Sequence, residues 1–180
     1  MKVSSLKWIG ALALMAVAAS IGIAHAAAPN AMGTERATAK TRPNIVVIET
    51  DDQTLDSMRA MTNTLRLLGQ EGTTFDNNFV SFSLCCPSRS TFLTGQYAHN
   101  HGVLGNSLPA GGYHKLNHAN TLPVWLQRAG YYTVEVGKYL NGYGKPDPLE
   151  IPPGWNEWHA GVNLAFIGGT MNENGKLVQL

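Results

Sequence analysis

The sequence predicts an α/β fold in which a parallel-rich sheet is flanked by helices. Residues 44–49 form a short β-branched apolar run, which is typical of a buried strand. Apolar residues recur at helical spacing over 58–68, and residues 131–136 alternate as a strand directly after a second helical segment. Strands that alternate with helices favour a parallel sheet whose polar strand ends mark the functional site.

The first elements follow this order closely. The strand at 44–49 begins after Pro43 and runs directly into Asp51 and Asp52. The helix predicted at 58–68 can end at Gly69 or Gly72, because glycine adopts the left-handed conformation that ends helices. Residues 74–82 are compatible with a second extended segment.

Two further helices are marked by their ends. Pro87 suits the first turn of a helix and Gly95 its exit, which predicts that Cys85 lies just ahead of a helix N-terminus. Thr121 is a good N-cap for a helix that stops at Gly130. The strand at 131–136 then leads into Gly137 and Lys138, and residues 143–154 are rich in proline and glycine and are expected to be mostly loop.

The N-terminal stretch has the pattern of a secretory signal peptide. Residues 1–26 combine a basic start, an apolar run and a small-residue exit, so cleavage is expected after Ala26 or Ala28. A membrane anchor is the alternative, although Ser20 and Gly22 interrupt the apolar run. We therefore predict use of the export machinery, no stable membrane anchor and a periplasmic or secreted location. Residues 27–41 are expected to be a flexible leader, and 42–180 one domain.

Charge and cysteine usage exclude several classes of protein. The formal net charge of +1 gives no broad electrostatic basis for binding nucleic acid or an anionic membrane. The two cysteines, Cys85 and Cys86, are adjacent, so they cannot link distant segments as the disulfides of small secreted domains do. An exported protein with this arrangement is more plausibly keeping one thiol for chemistry.

Asp51 and Asp52 are candidate metal ligands. Two successive carboxylates at the end of an apolar strand cannot both enter a dry core, because burying an unpaired charge is very costly. Hard oxygen ligands of this kind suit calcium or magnesium. A bare pair of aspartates also occurs as a helix N-cap followed by an exposed turn residue, and that interpretation stays open.

Two motifs give a specific resemblance. Residues 85–95 read Cys-Cys-Pro-Ser-Arg followed by Leu-Thr-Gly, and residues 130–138 read Gly-Tyr-x-Thr-x-x-x-Gly-Lys. Together with the aspartate pair they resemble the signatures of the sulfatases, over nearly all of 42–154. The resemblance implies the alkaline-phosphatase-like fold of that superfamily, here incomplete at the C-terminus.

The resemblance also implies roles for individual residues. A formylglycine-generating enzyme would oxidise Cys85 to formylglycine (3-oxoalanine), and the modified Cys85, Asp51 and Asp52 would be Ca²⁺ ligands. Arg89 would hold and polarise the formylglycine, and Lys138 would grip the sulfate. The ordinary alternatives are a buried small side chain for Cys85, a helix-surface arginine for Arg89 and a solvated strand-end lysine for Lys138.

The substrate class follows from departures within the motifs. Many arylsulfatases carry a histidine two positions after the lysine, where this chain has Leu140. Residues 138–141 and 151–155 resemble the branch of N-acetylglucosamine-6-sulfatases and heparan 6-sulfatases, and this resemblance implies a sulfated sugar or glycosaminoglycan as substrate. The absent histidine leaves the general acid undecided.

Four other side chains have two interpretations each. Trp155 and Trp158 could stack on a sugar, although buried packing is expected. His99 and His101 could bind metal, although solvated or hydrogen-bonded side chains close to the substrate are expected.

The sulfatases carry further metal and sulfate ligands downstream, and no convincing copy of them precedes Leu180. The sequence therefore resembles an N-terminal fragment of a sulfatase or a degenerate gene product, and it is expected to bind calcium poorly when isolated. Two other functions stay open at this point: hydrolysis of phosphonates or phosphodiesters by a related enzyme, and a noncatalytic, truncated glycan-binding remnant.

Overall fold

The computed structural model describes residues 42–164 and 168–180, and its compact unit comprises Val47–Leu180. The predicted signal peptide and leader lie outside the described residues. In the described part of the chain, no helix has the length and apolar character needed to cross a bilayer.

All the helical elements of this unit that the structure describes precede the first strand, with irregular segments between them. A 3₁₀ segment at Asp56–Ala60, helix α1 at Thr62–Thr64 and a wider π turn at Leu65–Gln70 replace the single helix predicted over 58–68. The remaining helical elements are α2 at Cys85–Thr94, α3 at Ala98–His101, a 3₁₀ turn at Tyr113–Lys115 and α4 at Leu122–Arg128.

A four-stranded sheet occupies the C-terminal half. Its strands are β1 at Val134–Gly137, β2 at Glu157–Leu164, β3 at Gly169–Glu173 and β4 at Lys176–Gln179, in the spatial order β1-β2-β3-β4. The β1–β2 pair is parallel, with Val136 opposite His159, and the other two pairs are antiparallel. The predicted α/β class is confirmed, and the sheet is mixed.

Two predicted extended segments do not form strands. Residues 44–49 and 74–82 are irregular, and the side chains of Val47 and Ile48 are 56% and 76% exposed. A strand is stabilised by backbone hydrogen bonds to a neighbour. Residues 44–49 have no such partner among the described strands, so their β-branched composition alone does not make a strand.

An aromatic core holds the sheet against the loop that follows β1. Trp158 of β2 is fully buried, and its indole nitrogen donates a hydrogen bond of 2.6 Å to the Tyr143 hydroxyl. The buried amide of Asn172 on β3 donates to the same hydroxyl at 2.9 Å, and the Tyr139 ring packs edge-on against Trp158. Because buried polar atoms must find partners, this network fixes the path of the chain from Tyr139 to Tyr143.

The two tryptophans therefore serve packing. Trp158 has no exposed surface and Trp155 is partly buried against the same core, with 5.8 Å between their ring centroids. The expectation of buried packing is confirmed, and neither ring forms an open sugar platform.

A histidine bridge joins β2 to β3. His159 pairs with the carboxylate of Glu173 across the strands and lies 3.2 Å from a carboxylate oxygen of Glu157. Hydrogen bonds to Glu173 and then to Glu157 raise the pKa of His159.

This bridge predicts a pH dependence of stability. The pKa of His159 is higher in the folded chain than in the unfolded chain, where it is about 6.5. The ion pairs of His159 therefore stabilise the fold fully below about pH 6.5, and this stabilisation is lost as the pH rises through the folded-state pKa. The free energy of unfolding in urea is measured for the wild-type chain and for His159→Gln at pH about 5.5 and about 8.5. Between these two pH values it should fall less in the variant than in the wild type. His99→Gln, at an exposed position, is the matched control and should behave like the wild type. An equal fall in the free energy of unfolding for the wild type and His159→Gln would contradict a stabilising role for this bridge.

Candidate active site

The candidate site lies where the first turn of α2 meets the loop that follows β1. Cys85 is the first residue of α2, and its sulfur lies 3.7 Å from the Lys138 ammonium nitrogen. Lys138 comes directly after β1, at the carboxyl end of a strand that is parallel to β2. This is the position at which α/β sheets bind ligands.

Local sequence explains the placement of α2. Leu84 is extended and precedes the helix, Pro87 lies in its first turn, and Gly95 ends it in the left-handed conformation with φ of 64°. Cys85 therefore lies inside the helix, one residue further along than predicted. Because this position belongs to the first turn, the Cys85 amide has no helical acceptor.

The aspartate pair forms a turn beside Cys85. Asp51 accepts a contact of 2.5 Å from the Lys138 ammonium through Oδ2, and its Oδ1 lies 3.5 Å from Arg89 Nη2. Asp52 adopts φ of 55°, which is uncommon for residues other than glycine, although aspartate tolerates it better than most. The structure thus brings together all five predicted site residues: Asp51, Asp52, Cys85, Arg89 and Lys138.

Arg89 joins the two sides of the site. Its side chain is 11% exposed, and Nη1 donates a hydrogen bond of 2.6 Å to the carbonyl oxygen of Lys138. The Nε of Arg89 has no hydrogen-bond partner among the described residues, and a carboxylate oxygen of Glu49 lies 3.9 Å away. A buried guanidinium with a free donor can hold a further acceptor, such as an oxygen atom on residue 85 or on a bound anion.

Asp51 and Lys138 stabilise each other in their ionised forms. The hydrogen bond from Lys138 lowers the pKa of Asp51 against an opposing effect of partial burial. Burial alone would lower the pKa of Lys138, but the hydrogen bond and attraction of Asp51 outweigh it, so that this pKa is raised. Lys138 is therefore an ammonium and Asp51 a carboxylate throughout the neutral range.

Three possible metal ligands converge beside Lys138. One ligand atom each from Asp51, Asp52 and Cys85 lie within 4.8 Å of one another. The two carboxylates are hard oxygen donors that suit calcium, whereas a cysteine sulfur suits softer metals. Replacement of that sulfur by oxygen would make all three donors fit a calcium ion.

The two adjacent cysteines have different surroundings. Cys85 is half-buried, whereas Cys86 has no exposed surface. The Cys86 sulfur accepts a hydrogen bond of 3.1 Å from the Asn141 amide and lies 3.3 Å from the Asn141 side-chain oxygen, and the Cys86 amide donates to Asn106 Oδ1 at 2.9 Å. Burial raises the pKa of the Cys86 thiol. Cys86 is thus a neutral anchor between α2 and the loop that carries Lys138.

Some residues near the site were not identified from the sequence. Glu135 on β1 is half-buried, and burial raises its pKa to about 7 although Arg89 opposes the shift. Asn106 and Asn141, which bind Cys86, had no recognisable signal either. Alternation along β1 could have placed Glu135 on a face of the sheet, but nothing in the sequence shows that this face meets Arg89.

His99 and His101 take no part in a metal-ligand cluster among the described residues. His101 Nδ1 accepts from the Val103 amide at 3.1 Å, and its Nε2 lies 3.1 Å from the Thr91 hydroxyl. His101 is therefore a hydrogen-bonded side chain, as expected.

Fold and site together define an α/β protein in which a cysteine at a helix start faces a lysine, an arginine and a pair of carboxylates. The family model for sulfatases matches residues 43–156, which is most of the described chain. The chain belongs to the sulfatase family.

Relatives and one solved structure agree with this assignment. The chain is 46% identical over 138 residues to an extracellular sulfatase Sulf-1 homolog of Caenorhabditis elegans, covering 74% of this chain and 19% of that protein. It is 42% identical over 146 residues to human N-acetylglucosamine-6-sulfatase, covering 75% of this chain and 26% of that protein.

A solved structure described as a complex with its substrate, D-glucosamine-2-N,6-O-disulfate, matches with a TM-score of 0.63 and 28% identity over 78% of this chain and 28% of that one. The chain thus spans about a fifth to a quarter of the length of these two relatives.

Because Cys86 is buried and Cys85 is half-buried, substitution of each should change the free energy of unfolding by a different amount. Cys86→Ala removes a fully buried sulfur and leaves the Asn141 amide without its acceptor, so we expect a loss of about 2–3 kcal/mol in the free energy of unfolding. The matched substitution Cys85→Ala, next along the chain and half-buried, should cost less than about 1 kcal/mol.

Cys86→Ser retains a donor and an acceptor and should fall between these values. Denaturant unfolding of the three variants measures the differences. A cost for Cys85→Ala that equals or exceeds that of Cys86→Ala would contradict the assignment of Cys86 as the anchor.

Proposed function

We propose that this chain provides the nucleophile-bearing part of a sulfate-ester hydrolase that acts on sulfated sugars. The observation that carries the proposal is the convergence on Cys85: an ammonium lies 3.7 Å from its sulfur, and a carboxylate oxygen from each of Asp51 and Asp52 lies within 4.8 Å of it. A sulfate monoester is an anion, so its hydrolysis needs positive charge around the sulfuryl oxygens before a nucleophile can approach.

The proposed nucleophile is formylglycine at position 85. A formylglycine-generating enzyme would oxidise the half-buried Cys85 and leave the buried Cys86 intact. Hydration of the aldehyde would give two hydroxyls on one carbon. One would form a bond to sulfur as the bond between sulfur and the sugar oxygen breaks, and its proton would leave with the departing alcohol. Loss of a proton from the second hydroxyl then reforms the aldehyde and expels sulfate, so covalent catalysis divides the reaction into two steps.

The neighbouring residues have separate tasks in this scheme. Lys138, held as an ammonium by Asp51, would bind a sulfuryl oxygen, and the free Nε of the buried Arg89 would donate to the oxygen on residue 85. Asp51, Asp52 and the oxygen of residue 85 would hold a calcium ion, which supplies further positive charge when bound. The open amides of the first turn of α2 add to this field.

The names of the relatives support a sugar substrate and an extracellular site of action. One is named for sulfate removal from N-acetylglucosamine, and another is named an extracellular sulfatase. We therefore propose a 6-sulfated glucosamine unit, free or within a glycosaminoglycan, as the substrate. Export through a cleaved signal peptide would bring the protein to it.

Hydrolysis of a phosphodiester or phosphonate is the second candidate reaction. A sulfate monoester and a phosphodiester each carry one negative charge on a tetrahedral centre, so the cluster of Arg89, Lys138 and a divalent ion would attract both. The noncatalytic alternative, a glycan-binding remnant, predicts binding without turnover.

The reaction is tested under single-turnover conditions, with the matured chain in excess over N-acetylglucosamine 6-sulfate or a bis-aryl phosphodiester. We expect slow sulfate release that exceeds phosphodiester cleavage. Lys138→Gln should lower it about 100-fold or more, because a preorganised charge that faces the transition state is removed. Lys176→Gln removes the same charge from an exposed site on β4 and should leave the rate unchanged.

Faster phosphodiester cleavage would favour the second reaction, and sugar binding without any turnover would favour the remnant. Equal rates for Lys138→Gln and Lys176→Gln would contradict the role given to Lys138.

Calcium affinity is the second test. The described cluster offers three ligand residues, whereas calcium takes about six to eight oxygen ligands, so we expect the isolated chain to bind it with Kd near or above about 1 mM. Asp52→Asn should weaken this binding at least threefold in calorimetry, whereas Asp56→Asn, in the neighbouring 3₁₀ segment, should not. Submicromolar binding, or equal effects of the two substitutions, would contradict the proposed ligand set.

A further inference from the structure

A second concave site lies at the opposite end of α2 from Cys85. A cavity of about 160 Å³ is lined by the last residue of that helix, Thr94, and by side chains from α3 and from the segment before α4. Nine residue steps along a helix span roughly 14 Å at about 1.5 Å per residue. The cavity is therefore separate from the cluster around Cys85.

Four carboxamides dominate the lining of the cavity: Gln96, Asn100, Asn117 and Asn120. The Asn120 side-chain oxygen accepts from the Trp125 indole at 3.0 Å, and the Asn117 oxygen accepts from the Ala119 amide at 3.2 Å. Both of these amides therefore keep their NH₂ donors for another partner. The side chains of Gln96 and Asn100 have no hydrogen bond to any described residue and keep both donor and acceptor.

The lining carries no formal charge. Among the described residues, no lysine, arginine, aspartate or glutamate contributes to it. Its one titratable residue, His101, accepts from the Val103 amide through Nδ1, so in the neutral ring Nε2 carries the proton and donates to the Thr91 hydroxyl. Burial lowers the pKa of His101, which keeps this ring neutral at neutral pH.

This chemistry selects an uncharged polar ligand. Sulfate and carboxylate ligands are commonly held by cationic groups, and none is present in the lining. Carboxamides that offer both donors and acceptors match vicinal hydroxyls or an acetamido group, whose oxygens and N–H groups need both. The buried side chain of Leu116 adds apolar surface to the lining. The Trp125 residue, 37% exposed, is linked to the lining by its hydrogen bond to Asn120.

We propose that this cavity is a carbohydrate subsite that binds one uncharged sugar unit, such as an N-acetylhexosamine without sulfate. Its size limits it to about one ring, since pockets that enclose drug-sized ligands begin near about 300 Å³. The subsite needs no chemistry at residue 85, so its occupancy does not depend on the function proposed above.

The test uses chitotriose, an uncharged trimer of N-acetylglucosamine, with the full chain. Titration followed by ¹H–¹⁵N NMR should shift the side-chain NH₂ signals of Asn100, Asn117 and Asn120. The double substitution Gln96→Ala/Asn100→Ala removes two amides that make no hydrogen bond within the described fold, and it should weaken binding at least tenfold. Gln70→Ala removes an exposed amide that does not line the cavity, and it should leave the affinity unchanged.

Two further arms separate this proposal from the sulfatase reaction. Cys85→Ala should bind chitotriose as the wild type does, whether or not the chain hydrolyses sulfate esters. A fully sulfated glucosamine trimer should bind the cavity more weakly than chitotriose. The proposal is overturned if chitotriose shifts none of these amide signals, if the double substitution has no effect, or if the sulfated trimer binds the cavity more tightly.

Discussion

The arrangement of the site depends on one buried cation. Arg89 projects from α2 and donates to the carbonyl oxygen of Lys138, while its other terminal nitrogen lies beside Asp51. A guanidinium has five donors in a fixed plane, so it can hold a backbone loop and a carboxylate turn in one geometry, which a lysine could not do. Because of this link, a helix start, a strand end and an acidic turn, distant in the sequence, meet at Cys85.

The adjacent cysteines divide structure from chemistry. Cys86 faces inward, where it binds Asn106 and Asn141 and holds the Lys138 loop against α2. Cys85 faces Lys138 and the aspartates and stays accessible. Since side chains one residue apart on a helix point in directions about 100° apart, a pair of identical residues at a helix start can serve both tasks.

The sequence predicted local features well and long-range pairing poorly. Pro87, Gly95 and Thr121 marked helix ends because capping is governed by neighbouring residues. Strands β2 to β4 were not predicted, although Asn174-Gly175, both with positive φ, carry the usual signal of a tight hairpin. The strand predicted at 44–49 was wrong because a strand needs a neighbouring strand to pair with, and composition does not show whether there is one. The site residues came from the two motifs and the aspartate pair, whereas the contacts of Arg89 with Lys138 and Asp51 depend on the fold.

The account's central claim is that residue 85 is the converted nucleophile. The most direct measurement is the mass spectrum of the tryptic peptide that contains residues 85 and 86, from chain produced together with a formylglycine-generating enzyme. The account predicts an aldehyde at position 85, which a hydrazide probe captures, and an unchanged thiol at position 86. Two intact thiols after exposure to an active maturation enzyme, or conversion at position 86, would contradict it.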